Sequence, residues 1–308
     1  MKCVREKEKL MLQGPSAVTL GKFNGLHRGH QKLINRILEI GKQGYETVVC
    51  AFETPARKLL TGAERYEILE KMGVGVLAEL QMDTRLMHMS PGDFVEQILV
   101  KRMHAGWVVV GPDFRFGYQR KGDTAYLKEM GKSYGFQVEI LEKEKDGNRP
   151  ISSTYIREQL NEGHIEKVNS LLGYPFSTTG EIIHGRGLGH TIGIPTTNLI
   201  PPKGKLMPPN GVYATRSRFF HREYLGITNV GYKPTVGGED FLGVETYLFD
   251  CHENLYGVES TVAFYHFLRY ERKFDSLNQL KEQLLRTDVS QAEEFFAEHS
   301  FMKTYSKG

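Results

Sequence analysis

The sequence predicts an α/β domain built on a parallel, doubly wound sheet, followed by a small antiparallel β-barrel with helices at its end. Three observations predict it. In the first half, short apolar runs alternate with segments of helical apolar spacing, the pattern of βαβ units. After residue 175, closely spaced β-rich segments punctuated by Gly, Pro and Asn take over, the pattern of a small barrel. At 308 residues the chain has room for about two domains with cores of their own. Gly173, Tyr174 and Pro175 form a natural stop between the two patterns, so the domains are read as 1–173 and 174–308.

In chain order, residues 17–23 are a strand candidate that runs into the Asn24-Gly25 turn. Leu33, Ile34, Ile37 and Leu38 give the next segment the apolar face of a helix. Residues 47–52 read as a second strand, and Thr61 with Glu64 as a capping box opening a helix through Met72. Residues 74–80 are apolar again. Ser90, Pro91 and Asp93 read as an N-cap, a proline at the first helical position and a first-turn acid. Residues 107–110 and 136–141 read as buried strands, and 160–172 carry a helical pattern. Beyond the boundary the strand candidates are 212–218, 224–228, 244–249 and 259–267. Ser276 then caps a helix expected to align Leu277, Leu280, Leu284 and Leu285 on one face, and a last helix runs through Phe296.

The net charge is +3 with acids and bases nearly balanced, so no nucleic-acid or membrane surface is expected. Cys3, Cys50 and Cys251 are scattered without CxxC spacing and read as free thiols in a reducing compartment. The first residues hold no apolar core of signal-peptide length, and no apolar run approaches the ~20 residues of a membrane span. The expectation is a cytoplasmic protein whose partners are small molecules.

Two stretches concentrate chemistry. In residues 185–198, GRGLGHTIGIPTTN, Gly185, Gly187 and Gly189 leave backbone N–H groups open to phosphate oxygens. Thr196 and Asn198 then offer hard oxygen ligands, which suit a Mg²⁺ shared with phosphate. By itself this composition fits a plain glycine-rich turn region equally well. Residues 21–30, GKFNGLHRGH, follow the first strand, where doubly wound folds bind ligands. His27 and His30 would stand beside the free N–H groups of a helix start, and Gly29 would leave room for a nucleotide. A bare HxxH says little, and surface or metal-ligand histidines are its simpler reading.

The company of these stretches decides between the readings. NVGYKPT at 229–235, GVET at 243–246 and LYG at 255–257 follow the glycine-rich stretch in order. Over roughly residues 175–290 the chain resembles the riboflavin kinase domain of the bacterial bifunctional riboflavin kinase/FMN adenylyltransferases, the FAD synthetases. The decapeptide resembles the HxGH signature of the nucleotidyltransferases, which in that family usually reads GxFDGxHxGH. GPDFRFG at 111–117 and ISSTYIR at 151–157 resemble its GxDFRFG and ISSTxIR segments.

The resemblance implies a Rossmann-like nucleotidyltransferase domain and a riboflavin kinase-like barrel. It implies ATP as co-substrate with Mg²⁺, and riboflavin, FMN and FAD as substrates and products. In the barrel it implies Glu245 as the base for the ribityl 5′-hydroxyl and Thr196 and Asn198 as Mg²⁺ ligands. Gly185, Gly187 and Gly189 would meet the nucleotide, and Arg269 and Phe274 would border the flavin. In the first domain it implies that His27 and His30 stabilise charge while the FMN phosphate attacks the ATP α-phosphorus. Gly21, Phe23, Asn24, Gly29, Asp113, Arg115, Ser153, Thr154 and Arg157 would surround that nucleotide. From pattern alone, Glu245 could equally point to water, the Ser-Ser-Thr run could be a plain N-cap, and the DFRF loop an aromatic cluster packed under the sheet.

Two positions depart from the family. Asn24 stands where it usually has Asp, and Phe52-Glu53-Thr54-Pro55 stands where a Pro-His-Pro segment is common, with no histidine present. These departures leave open a riboflavin kinase with a weakened or inactive adenylyltransferase domain. A flavin-binding protein without catalysis is the remoter alternative.

Overall fold

The computed structural model describes residues 1–6, 9–53, 57–185, 193–234 and 240–299. The chain divides into two compact units, Met1–Ser153 and Thr154–Gly308. Among the described residues no helix is long and apolar enough to cross a membrane.

The first unit is a six-stranded sheet of β1 (Lys2–Val4), β2 (Ser16–Gly21), β3 (Glu46–Glu53), β4 (Val76–Gln81), β5 (Ala105–Val110) and β6 (Gln137–Ile140). Its order is β1-β4-β3-β2-β5-β6 and every pairing is parallel. Strands buried on both faces must be apolar on both, which is why Val48, Val49, Cys50 and Ala51, and Val108, Val109 and Val110, form runs rather than alternations. Helix α1 (Arg28–Gly41) buries Ile34, Ile37 and Ile40. Helix α2 (Gly62–Lys71) opens on the expected capping box: Thr61 Oγ1 accepts from Glu64 N–H at 3.2 Å, and Glu64 Oε2 accepts from Thr61 N–H at 2.8 Å. The Ser90 cap starts Pro91–Asp93, which continues as a π-helical Phe94–Val100 and buries Phe94, Val95, Ile98 and Leu99. A short hairpin, β7 (Lys145–Asp146) with β8 (Arg149–Pro150), closes the unit. The chain leaves β2 for β3 on one side, and β5 joins β2 on the other. Strand order therefore reverses at β2, and the carboxyl ends of β2 and β5 flank the crevice in which such sheets bind ligands.

In the second unit, the helical stretch expected over 160–172 is two helices, α3 (Ser153–Asn161) and α4 (Ile165–Leu172). Gly163, at φ 81°, breaks between them, a conformation glycine adopts without a side-chain clash. Gly173 ends α4 in the left-handed region, as its place in the sequence suggests. A closed barrel follows: β9 (Ser177–Ile183), β10 (Thr196–Leu199), β11 (Gly211–Phe219), β12 (Arg222–Pro234), β13 (Asp240–Leu248) and β14 (Glu259–Arg269). The order is β10-β13-β12-β11-β14-β9, closed by antiparallel pairing of β9 with β10. Buried hydroxyls of Thr215, Thr228 and Thr246 satisfy one another across three strands at 2.6 and 2.8 Å.

Helices α5 (Leu277–Gln283) and α6 (Val289–Glu298) are joined by a π-helical turn, Leu284–Asp288. Ala292 and Phe296 bury against Val212, Ala214, Leu225 and Ile227, and Leu284 packs on the same cluster. Leu277 and Leu285, expected on the buried face, are exposed instead. Leu285 falls inside the π turn, which breaks the 3.6-residue phase on which that stripe was read, and Leu277 opens a helix none of whose residues is buried.

Candidate active sites in the two units

At the carboxyl end of β2 the backbone turns sharply, with Phe23 at φ 44°, Gly25 at 124° and Leu26 at 40°. Phe23 and Leu26 are fully buried, so the turn is anchored by its apolar side chains. His27 is the N-cap of α1: its Nδ1 accepts the backbone N–H of His30 at 3.4 Å. This leaves the neutral ring its proton on Nε2. The rings of His27 and His30 stack at 3.7 Å, and Phe23 lies tilted against His30 at 5.0 Å. A Cβ on Gly29 would lie 3.2 Å from His27 Nδ1. The glycine makes room for the capping imidazole.

Burial pushes His27 down to about 4; burial and the charge of His27 push His30 well below the ordinary imidazole value. Both rings are thus neutral N–H donors at a helix N-terminus, a setting that suits phosphate oxygens. The depressed pKa also sets a pH dependence. The unfolded chain takes up a proton near 6.5 and the folded one only near 4, so stability is fully present above 6.5 and lost as pH falls towards 4. For His27 alone the loss is roughly 3 kcal/mol. Thermal unfolding of the N-terminal unit at pH 7 and 4.5, in the parent and in His27→Asn, checks this. Asparagine keeps the cap without titrating, so the variant should lose less on acidification; equal losses would refute the assignment.

Asn24 Oδ1 accepts the Leu59 N–H at 2.8 Å, and its carbonyl accepts Ser153 Oγ at 2.9 Å. Ser153 is thereby fixed at the turn; Thr154 is exposed and Arg157 partly buried on α3. Gly21 packs against the Phe23 ring. In the loop after β5, Asp113 accepts from Lys143 Nζ at 2.7 Å and Arg115 is exposed, while Phe114 stacks on Phe116 at 5.4 Å. An aromatic cluster fixes the loop, one of the readings the sequence left open, and its charged residues face solvent. Glu53, at the end of β3, is held below the usual carboxylate range. Burial opposes this, and hydrogen bonds from Lys58 and buried Arg65 outweigh it. Residues 54–56, where a histidine was missed, lie outside the described residues.

In the second unit, register does what sequence distance hides. Asn198 pairs with Glu245, and Glu245 with Asn229, so Thr196, Asn198 and Glu245 share one face of β10 and β13. Thr196 Oγ1 donates to Glu245 Oε1 at 2.7 Å. Lys233 Nζ donates to Glu245 Oε2 at 2.6 Å and to Asn198 Oδ1 at 2.8 Å. Glu245 therefore does not simply point to water. Gly185 has a steric reason: a Cβ there would collide with the Asn198 amide. Gly187 and Gly189 lie outside the described residues.

A cavity of ≈ 370 Å³ adjoins this face, lined by Ile182, Pro195, Thr196, Thr197, Leu255 and Tyr256 among others. His184 stacks on Tyr256 at 3.6 Å. Arg269 grips the fully buried Asp288 through Nε at 2.8 Å and Nη2 at 2.7 Å, and its guanidinium lies 5.7 Å from the Phe274 ring. Arg269 thus fixes the end of β14, and the Arg272 guanidinium also lies over the Phe274 ring, at 4.9 Å. Sequence reasoning passed over Lys233; only the pairing of β12 with β13 brings it to Glu245.

A family model described as FAD synthetase matches residues 10–155, and one described as riboflavin kinase matches 172–296. The bifunctional riboflavin kinase/FMN adenylyltransferase of Listeria monocytogenes is 34% identical, over 91% of this chain and 92% of its own. The Escherichia coli K12 protein of that name is 35% identical, over the same shares. The chain belongs to the bifunctional riboflavin kinase/FMN adenylyltransferase family. A solved structure from Streptococcus pneumoniae, named a macrolide-efflux protein, covers 94% of this chain and 98% of its own at a TM-score of 0.84 and 29% identity. Helices α3 and α4 lie largely between the two matched segments, although by contacts they fall with the barrel.

Proposed function

We propose that the chain makes FAD from riboflavin in two ATP-dependent steps, one in each unit, with the functional division near Gly173. The observation that carries the kinase step is the shared face of Thr196, Asn198 and Glu245. There the Glu245 carboxylate takes the proton of the ribityl 5′-hydroxyl, that oxygen attacks the γ-phosphorus, and ADP leaves. The cavity lined by Thr196, Thr197 and Tyr256 is of a size and apolarity to take the nucleotide base. The donor set fits Mg²⁺: a hydroxyl and an amide oxygen lie on one face, and an ammonium already stands on the amide oxygen in the place of a cation. Thr196 and Asn198 would hold the metal, which when bound neutralises phosphate charge.

For the second step, His27 and His30 donate hydrogen bonds to phosphate at the start of α1. The FMN phosphate displaces pyrophosphate from the α-phosphorus without a covalent enzyme intermediate, so positioning and electrostatics carry the rate. Asp113, Arg115 and Ser153 complete the nucleotide's surroundings within that unit. Incubation with riboflavin, ATP and Mg²⁺, followed by chromatographic separation of the flavins, should yield FMN and then FAD. Accumulation of FMN alone would leave a kinase, and neither product would refute both steps.

Asn24 sets the balance between the steps. Its Oδ1 carries a structural hydrogen bond that a carboxylate would keep, so Asn24→Asp adds charge without releasing Leu59. One charge-assisted contact is worth about 1.5–3 kcal/mol, or about one to two decades of rate. FAD formation from supplied FMN should rise by about tenfold or more in Asn24→Asp, in a timed assay. An unchanged rate would mean that the missing charge does not limit adenylylation.

A further inference from the structure

In the proposed kinase site, both oxygens of the base are already engaged, and so is the amide oxygen assigned to the metal. Glu245 Oε2 and Asn198 Oδ1 converge on a single point, and Lys233 Nζ occupies it, 2.6 and 2.8 Å away. The surroundings are shaped to deliver the ammonium there. Lys233 pairs with Phe241, four residues before Glu245, so its stem must run along the sheet past residue 243. Residue 243 is glycine, and a Cβ there would stand 3.0 Å from Lys233 Cδ. The glycine leaves a track for the stem. The side chains of Lys233 and Glu245 are half-buried, at 25% and 31% exposure, so the ammonium keeps a route outwards.

We infer that Lys233 is an internal cation that holds the metal's place in the resting barrel and is displaced when the metal nucleotide enters. The inference rests on the reading of Asn198 as a metal ligand and Glu245 as the base. A divalent cation on Asn198 Oδ1 and an ammonium on the same oxygen repel, so the two cannot share it. Lysine suits the part, being a compact charge on a flexible four-carbon stem. Once displaced, it lies within reach of phosphate oxygens, and Glu245 Oε2 loses the donor that masks it. Exposure of the base is thereby tied to arrival of the nucleotide. Lys233 is a positioning residue, acting through Asn198 and Glu245.

A metal that must first displace an occupant binds more weakly by the fraction of time the place is taken. The test is Mn²⁺ binding to the full chain, followed through the electron paramagnetic resonance signal of the free ion, without nucleotide. Lys233→Met and Lys233→Gln should both bind Mn²⁺ about tenfold or more tighter than the parent, while Lys233→Arg should not. Steady-state kinetics should divide the same way, with a lower Mg²⁺ requirement in the Met and Gln variants and no rise in kcat. Asn198→Ala separates the two levels of the argument. If it weakens Mn²⁺ binding but neither lysine variant tightens it, the role of Lys233 falls and the metal site stands. If Asn198→Ala binds Mn²⁺ as the parent does, the metal placement falls and the proposal with it.

Discussion

Glu245→Gln should slow riboflavin phosphorylation by about 10²–10⁴-fold, the usual worth of a general base, and leave the conversion of supplied FMN to FAD untouched. The substitution is close to isosteric. A glutamine can still receive Lys233 on its oxygen, and its amide N–H can donate to Thr196 Oγ1 with that bond reversed, so the face across β10 and β13 should keep its shape. What disappears is the group able to take the proton of the 5′-hydroxyl. Because the two chemistries belong to different units, the FMN-to-FAD rate is an internal control for folding. Single-turnover measurement with saturating ATP separates this loss from weaker binding. A variant that phosphorylates riboflavin at the parent rate would remove Glu245 from the chemistry and return it to a structural role beside Lys233.

That such a prediction can be aimed at one residue reflects what the chain makes legible. Local signals were read directly: the strand–turn–helix at 17–41, the Thr61–Glu64 capping box, the Ser90 cap and the stop at Gly173 all depend on neighbours a few residues apart. The parallel sheet also follows from pattern, because alternating strands and helices leave few other topologies. Barrel closure was less accessible. β9 is rich in threonine and carries no clean alternation, and its pairing with β10 spans the stretch that includes residues 186–192. The site itself was reached through motif resemblance, while its physical logic lay in register. Lys233 stands twelve residues from Glu245 and looks like an ordinary turn-flanking lysine until β12 pairs with β13. The failure at Leu277 and Leu285 has the opposite cause. At Leu285 a regular period was assumed across the π turn Leu284–Asp288, and at Leu277 an apolar stripe was assumed to be buried in a helix that buries none of its residues.

His30→Ala should reduce adenylylation of supplied FMN by about 10²-fold or more, the cost of removing one preorganised donor to developing charge. Production of FMN from riboflavin should continue at the parent rate. The imidazole stacks on the capping ring of His27 and lies against Phe23, so its removal takes away one proposed phosphate donor and the surface that orients the other. A structural explanation for the loss must be separated from a chemical one. Truncation leaves α1 its cap, since His27 Nδ1 bonds the backbone N–H of residue 30 and not its side chain. The unfolding temperature of the N-terminal unit should therefore fall little. His30→Gln retains an N–H donor and should recover part of the activity, whereas a purely packing role predicts no recovery from an amide that cannot stack. ATP binding, measured by calorimetry with a non-hydrolysable analogue, should weaken far less than the rate falls, because the donor is needed most where charge develops. FAD formation by His30→Ala at the parent rate would show that the turn after β2 is not where FMN is adenylylated.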